Sequence, residues 1–326
     1  MNLSKTFKVT VAIAALSGLV VAMAAPAGAD PNRGFARDGR GHFGSGNEHR
    51  SKTSTCSGTI DAPGVLAGDY HSNVIVTGIC FVNGGPANVS GDLIIAPGAA
   101  LNASFALNDT AGGSGVSSLS VRGDVVVQEG GTAFIGCEPN FSTCSDDPDQ
   151  NGGTLTGQNH IRGSLIEFQP LGVIVHATTI DGSVAEFGGG GGVNCTPPAG
   201  SVFEAFGSPA FSDYEDNSIG HDLIVAGLQT CWLGSLRNTV GGSLIDVKNT
   251  MADPDAGEVL QNTVRHDIVC IDNSPSVQFG DSGAAPNVVR GHAYGECGFD
   301  VMSPDPNYPN GDGTGGPQPI SVKAHK

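Results

Sequence analysis

One short pattern recurs along the chain and limits what it can fold into. Eight segments share a central glycine or histidine, which we call the anchor, with valine or isoleucine two positions before it and a polar residue directly after it. The eight anchors are Gly91, Gly123, Gly163, Gly182, His221, Gly242, His266 and Gly291. A weaker copy precedes them at Gly68. Most anchors are separated by about 20 residues or by twice that number, and such a period predicts a solenoid in which each coil stacks on the next.

The residues around the anchor indicate strands. The positions two before and two after it are apolar in all eight segments, for example Val89 and Leu93 around Gly91. Alternate side chains of a strand face the same side, so both columns are expected to face inward. The sequence therefore predicts an all-β fold, a single-stranded parallel β-helix (β-solenoid) with coils of about 20 residues and about a dozen coils in all.

An asparagine column accompanies the repeat. Five of the eight segments have asparagine four positions before the anchor, namely Asn159, Asn217, Asn238, Asn262 and Asn287. Asparagine at a turn tolerates left-handed backbone. We expect each one to hydrogen-bond its counterpart one coil away, about 4.8 Å along the axis.

This pattern resembles right-handed parallel β-helix proteins, and the V-x-G-[DS]-[LIV] element resembles that of bactofilins, which are polymerising solenoids. The resemblance covers roughly residues 56 to 297. It implies a β-solenoid fold and adds a self-assembling coat or filament protein to the functional hypotheses.

The two ends of the chain differ from the repeat region. Lys5 and Lys8 precede an apolar stretch, and Ala27-Gly28-Ala29 has the small-x-small form that a signal peptidase cuts. The sequence predicts a protein secreted by a bacterium, without a membrane span. Its expected parts are a signal peptide (1–29), a disordered polar segment (30–55), the β-solenoid domain (56–299) and a disordered tail (300–326). The long intervals 123–163 and 182–221 are expected to hide additional coils that carry inserted loops.

Charge limits the partners. The chain has 15 Lys and Arg against 32 Asp and Glu, for a net charge of −17. Such a surface repels phosphate backbones and anionic lipids, so nucleic acid is an unsuitable partner. Divalent cations are more suitable.

Cysteine usage also indicates export. The eight cysteines are Cys56, Cys80, Cys137, Cys144, Cys195, Cys231, Cys270 and Cys297, and all follow the predicted leader. An even number in an exported chain predicts disulfides. Pairing of sequence neighbours is the simplest arrangement, although the sequence leaves other pairings open. Zinc is less favoured because the chain has no CxxC or HxxxH pair.

Three acidic residues are candidates for catalysis. Glu167, Glu186 and Asp246 share the column four positions after the anchor. Stacked carboxylates on a solenoid face could act as acid and base in polysaccharide cleavage, or they could hold a cation. The alternative is that they are solvated carboxylates without chemistry.

A second acidic stretch resembles a calcium loop. Asp147, Asp149 and Asn151 alternate and are followed by Gly152, as in the first half of an EF-hand loop. The twelfth position is Gln158 instead of glutamate, so one bidentate ligand is missing. A solvated acidic loop is the alternative.

These features favour a secreted, non-catalytic structural or surface-interaction protein that binds calcium, extracellular polysaccharide or the cell envelope. The alternative is a carbohydrate-active enzyme, a polysaccharide lyase or hydrolase that acts on a long polymer along the solenoid face. Self-association is the third hypothesis.

Calcium is expected to raise the thermal stability of the protein, and the double variant Asp147→Ala, Asp149→Ala should lose this effect, because an ion that binds only the folded state stabilises it. Thermal unfolding with excess calcium and with chelator measures the difference. If the Tm of the wild-type protein is unchanged in chelator, the prediction that this loop binds calcium is wrong.

Overall fold

A computed structural model of the chain describes residues 53–103, 117–136, 159–278, 287–300 and 318–319. All of them belong to one compact unit, His49–Lys326. The predicted signal peptide, the predicted calcium ligands Asp147, Asp149 and Asn151, and the cysteines Cys137 and Cys144 lie outside the described residues.

The described residues form mainly strands. The first are β1 (Ser54–Cys56), β2 (Gly64–Tyr70), β3 (Val74–Val76), β4 (Ile79–Val89), β5 (Leu93–Ile95), β6 (Ala100–Ala103), β7 (Leu119–Val121), β8 (Val125–Val127) and β9 (Thr132–Ile135). The next are β10 (His160–Ile161), β11 (Leu165–Phe168), β12 (Gly172–His176), β13 (Thr179–Ile180), β14 (Val184–Phe187), β15 (Ser212–Glu215), β16 (Ser218–Ile219), β17 (Leu223–Ala226), β18 (Gln229–Thr230) and β19 (Leu233–Leu236). The last are β20 (Thr239–Val240), β21 (Leu244–Val247), β22 (Thr250–Met251), β23 (Glu258–Leu260), β24 (Thr263–Val264), β25 (Ile268–Ile271), β26 (Val288–Val289), β27 (Ala293–Gly295), β28 (Phe299–Asp300) and β29 (Gln318–Pro319). A helix, α1 (Val202–Phe206), and a 3-10 turn, Glu296–Gly298, complete the described elements.

Two long parallel sheets contain nearly all of these strands, and we divide them into three stacks. Strand β4 pairs with β6 through residues 79–81 and with β7 through residues 87–89, so the fifteen-stranded sheet has two arms. Stack 1 is the arm β7-β10-β13-β16-β20-β24-β26, stack 2 is the ten-stranded sheet β1-β3-β5-β8-β11-β14-β17-β21-β25-β27, and stack 3 is the arm β6-β9-β12-β15-β19-β23. The prediction of an all-β fold built from parallel strands is confirmed.

The anchor lies at the turn between stack 1 and stack 2, and the columns on either side of it point inward, as predicted. The eight residues two before the anchor are all buried, and so are the residues two after it except Ala293 in the last strand. Buried side chains of all three stacks belong to one hydrophobic cluster.

Strand register corrects the repeat count. Val74 lies opposite Leu93, so Ser72, and not Gly68, corresponds to the anchor Gly91. Strand β8 pairs directly with β11, and β14 with β17, so each double interval is a single repeat with an insertion and hides no additional coil. Stack 2 therefore has ten strands instead of the predicted dozen. An insertion increases the number of residues between two anchors but does not change which strands pair, so sequence spacing alone overestimates the number of repeats.

Glycine at the anchor follows from the close approach of the preceding repeat. The Asp124 N–H donates to Oδ1 of Asp92, one repeat earlier, over 3.0 Å. A Cβ atom on Gly123 would come within 2.1 Å of that same oxygen. An aspartate that bonds the backbone of the next repeat thus leaves no room for a side chain at the next anchor.

Histidine occurs at two anchors that follow a repeat with serine at the aspartate position, although the anchor that follows Ser164 is Gly182. His221 follows a repeat with Ser183 at the aspartate position, and His266 follows one with Ser243. The shorter serine side chain still accepts from the Asp222 N–H at 3.3 Å. Both histidines are exposed at the turn.

Four of the five asparagines form the predicted ladder, whereas Asn159 has Thr178 as its counterpart in the next repeat and bonds the backbone of Leu119 and Ala103. Successive side chains donate Nδ2 to the next Oδ1 over 3.0, 3.1 and 3.0 Å, in the order Asn217, Asn238, Asn262 and Asn287. Left-handed backbone belongs to the residue before each asparagine, with φ of 55°, 54° and 56° at Asp216, Arg237 and Gln261. A second column, which the repeat pattern did not single out, contains Asn249 and Asn273.

Three disulfides join neighbours in the sequence: Cys56–Cys80, Cys195–Cys231 and Cys270–Cys297. These are the pairs that sequence order suggested, and the Cys137 to Cys144 pair stays a prediction. Cys56 and Cys270 lie in β1 and β25, near the two ends of stack 2, so two of the bonds hold the terminal repeats.

The insertion between β14 and β15 packs on stack 3. Ser201 begins α1 by accepting from the Glu204 N–H, and Gly207 ends it with a φ of 67°. Phe203 of α1 is buried edge-on against Phe134 of β9, with ring centroids 5.4 Å apart. Within the described part of the chain, no helix has the length and apolar character needed to cross a membrane.

Replacing Asn238 with alanine should lower the free energy of unfolding by about 3 kcal/mol or more, because several buried partners lose their hydrogen bonds. These are the Asn217 N–H, the Tyr214 carbonyl and Oδ1 of Asn262. Chemical denaturation measures the change. Asn88→Ala is the control, since Asn88 makes one exposed hydrogen bond, and its effect should stay within about 0.5 kcal/mol. Equal effects of the two variants would contradict a stabilising role for the ladder.

Candidate functional site

The candidate catalytic residues Glu167, Glu186 and Asp246 lie inside the protein. All three have 0% exposure, so they are neither solvated nor displayed on an outer face, and both sequence-based interpretations were wrong on this point. The position four after the anchor shares its strand face with the inward position two after it, and alternation therefore directs these acids into the core. No polymer on the surface can touch them.

Two of the acids form a cluster with a tyrosine. Glu167 and Glu186 lie side by side on the paired strands β11 and β14. The Tyr214 hydroxyl of β15 reaches across the core, 2.5 Å from Oε2 of Glu167 and 2.9 Å from Oε2 of Glu186. Ser212 donates its hydroxyl to Oε1 of Glu186 over 2.8 Å.

The tyrosine contacts require a proton on one of the two carboxyl groups. A phenol has a single proton to donate, so Tyr214 cannot serve two carboxylates at once. Its second contact is favourable when the other carboxyl is protonated and donates to the phenol oxygen. Oε1 of Glu167 is buried without a hydrogen-bond partner, which a neutral carboxyl tolerates far better than a carboxylate.

Electrostatics leads to the same protonation state. Burial, and secondarily the charge of Glu186, raises the pKa of Glu167 well above its ordinary value. Burial raises the pKa of Glu186 to about 7, although the hydrogen bonds from Ser212 and Tyr214 oppose this shift. At and below neutral pH the cluster therefore holds protons.

Asp246 is a separate buried acid. It lies in the same column as Glu186, with Val225 between them and Cys270 on its other side. Burial raises its pKa to about 7, while the Asn249 side chain, which donates to Oδ1 over 2.5 Å, opposes the shift. Val225 and Cys270 separate Asp246 from the other carboxyl groups of its column, although the charge of Glu296 also raises its pKa.

A second polar group, which the sequence did not reveal, lies on the outward side of stack 3. His176 ends β12, and Asp213 and Glu215 alternate along the neighbouring strand β15, with His176 paired opposite Glu215. Nε2 of His176 is 3.0 Å from Oδ2 of Asp213, and Arg237 donates to Glu215 over 2.5 Å. His176, Asp213 and Glu215 are all buried, and one ligand atom of each lies within 4.8 Å of the others, so the group could hold a metal ion.

Cys195, Cys231 and Asp253 also lie close enough together to hold an ion. The two sulfurs are joined in a disulfide, and thiolates, not disulfide sulfurs, are metal ligands. This group is therefore a covalent link between the insertion and the repeats.

The outward side of stack 2 carries a continuous apolar row. One residue from each of nine consecutive strands, β3 to β27, lies in register with the next: Ile75, Ile94, Val126, Ile166, Ala185, Ile224, Ile245, Val269 and Tyr294. All are at least partly exposed. Beside this row, the stacked rings of Phe168 and Phe187 lie 6.2 Å apart.

A scan against protein-family models finds no match, and neither does a search of curated proteins or of solved structures. Function is therefore inferred from the chemistry of the described residues.

Stability should decrease as pH rises from about 4 through about 7. The folded protein holds the protons of Glu186 and Asp246 more tightly than the unfolded chain does, so their contribution is complete below the ordinary carboxyl pKa and is lost as the folded groups ionise. Each group is expected to contribute on the order of 3 kcal/mol. Denaturant unfolding at pH 5 and pH 8 measures the loss.

Glu186→Gln and Asp246→Asn should each flatten this pH dependence, whereas Glu129→Gln, at an exposed position, should leave it unchanged. A pH profile that is the same in all four proteins would show that the buried acids do not titrate in this range.

Proposed function

We propose that this protein is a secreted, non-catalytic β-solenoid that binds extracellular or cell-envelope polysaccharide through the outward side of stack 2. Closure of the three stacks into a solenoid is supported by the order of the chain, which visits stack 3, stack 1 and stack 2 in turn, as in β12, β13 and β14 and again in β15, β16 and β17. The single hydrophobic cluster shared by all stacks supports it further.

Export is supported by the disulfides. Three of them occur within the described residues, and such bonds persist in oxidising compartments outside the cytosol. The two bonds near the ends of stack 2 also suit a protein that must stay folded without chaperones.

The apolar row on stack 2 carries the proposal. Large exposed apolar patches on soluble proteins mark interaction sites. Here the strand spacing of about 4.8 Å repeats the same aliphatic contact along about 40 Å, which suits an extended, repetitive partner. The row is flat because its members are β-branched or small apart from Tyr294 at one end.

Polysaccharide fits this row better than other polymers. Sugar rings present flat C–H faces that pack on aliphatic and aromatic side chains, and the pair Phe168–Phe187 with Tyr294 supplies aromatic surface. A net charge of −17 favours a neutral polysaccharide over an anionic one.

The enzyme hypothesis loses its candidate residues, because Glu167, Glu186 and Asp246 are sealed in the core. Their proposed role is to fix the packing of neighbouring repeats. No other feature of the described residues favours catalysis over binding.

The purified protein should co-sediment with an insoluble neutral polysaccharide such as chitin or cellulose. The double variant Ile166→Asp, Ile224→Asp should lose most of this binding, because two charges interrupt the apolar row. Thr239→Asp with Thr263→Asp is the matched control, since it adds the same charges to exposed positions of stack 1.

The proposal would be contradicted if the two double variants co-sedimented with the polysaccharide equally well, or if the wild-type protein did not co-sediment with it. Sedimentation velocity of the wild-type protein and of both double variants is the second measurement. A wild-type dimer that the stack 2 variant disrupts and the stack 1 variant keeps would contradict the proposal, because the apolar row would then be an interface between two copies.

A further inference from the structure

We propose that His176, Asp213 and Glu215 form a binding site for a divalent first-row transition cation such as Zn²⁺. This site lies on stack 3 and is independent of the polysaccharide surface on stack 2. Its three ligands come from two adjacent strands, β12 and β15, so a bound ion would join two successive repeats from outside.

An unsatisfied oxygen points to a missing ligand. Asp213 is 5% exposed and uses Oδ2 to contact His176, but its Oδ1 is buried and has no hydrogen-bond partner. Buried carboxylate oxygens are almost always paired, and an ion is one of the accepted reasons for an exception. Asp213 also belongs to the group in which one ligand atom of each residue lies within 4.8 Å of the others.

Charge supports a cation at this position. The buried carboxylates of Asp213 and Glu215 lie on one strand beside His176, which contacts Asp213, while Arg237 pairs with Glu215. A divalent cation bound between the two carboxylates would be attracted by both of them.

The ligand types select the class of ion. An imidazole nitrogen with two carboxylates suits zinc and its first-row neighbours, whereas calcium and magnesium prefer oxygen alone. Tetrahedral zinc with bonds of about 2.0 to 2.1 Å holds its ligand atoms about 3.3 Å apart. Nε2 of His176 and Oδ2 of Asp213, which are hydrogen-bonded at 3.0 Å, would have to separate by only about 0.3 Å to reach that spacing. The third ligand needs a shift on the order of 1 Å, and a fourth position stays open for water.

The test is a zinc titration of the full secreted chain after metal removal by chelator, in competition with a chromophoric zinc indicator. We expect one equivalent of zinc to bind and to raise the Tm. His176→Ala and Asp213→Asn should each weaken binding by about tenfold to a hundredfold or more. Excess calcium should not displace the zinc, which separates this site from the calcium loop predicted from sequence.

His160→Ala is the matched control. Nε2 of His160 lies 3.0 Å from Oδ1 of Asp181, the same separation as in the proposed site, but this pair is exposed. Its loss should leave zinc affinity unchanged. Circular dichroism establishes that each variant is folded before it is titrated.

A further variant is expected to bind zinc more tightly than the wild-type protein does. Arg237→Gln removes a positive charge beside the site, so zinc affinity should rise severalfold. Absence of zinc binding by the wild-type protein overturns the proposal, whatever the folding of the variants. So does undiminished binding by folded His176→Ala and Asp213→Asn, because the ion would then reside elsewhere.

Discussion

Parallel backbone pairing places equivalent residues of successive repeats about 4.8 Å apart, and every column of this protein must tolerate that contact. Aliphatic side chains stack on their copies and form the core. Asparagine also repeats without penalty, because its amide both donates and accepts, as Asn217, Asn238 and Asn262 show. Two carboxylates cannot repeat in this way, which explains why Glu167 and Glu186 depend on Tyr214 and on a retained proton.

The same contact explains the composition of the anchor. Where aspartate at one repeat accepts from the backbone of the next, as Asp92 does from Asp124, the following anchor has no room for a Cβ atom. Histidine occurs at the following anchor only after serine, as after Ser183, although Ser164 is followed by the glycine anchor Gly182. Glycine at these anchors is therefore required by steric contact between neighbouring repeats.

Inward-facing and outward-facing side chains of the strands have different roles in this protein. The inward acids are inaccessible, and their protonation links the packing of the core to pH. The outward surfaces carry the features suited to partners: the apolar row on stack 2 and the group around His176 on stack 3. Strand alternation decides which residues belong to which set, since neighbours along a strand face opposite sides.

The sequence by itself determined the strand pattern, the inward columns around the anchor and most of the asparagine ladder, because all of these depend on spacing within or between neighbouring repeats. It suggested the three disulfide pairs as the simplest arrangement but left other pairings open. It also contained the information that Glu167 shares a face with Leu165, although the chemistry of a carboxylate favoured the wrong, solvated reading. Only the tertiary structure decided that β8 pairs with β11 and β14 with β17, and it alone brought His176 to Asp213 and Glu215. The physical reason is that an insertion lengthens the chain between two strands without changing their register, so sequence distance across it carries no information about contact.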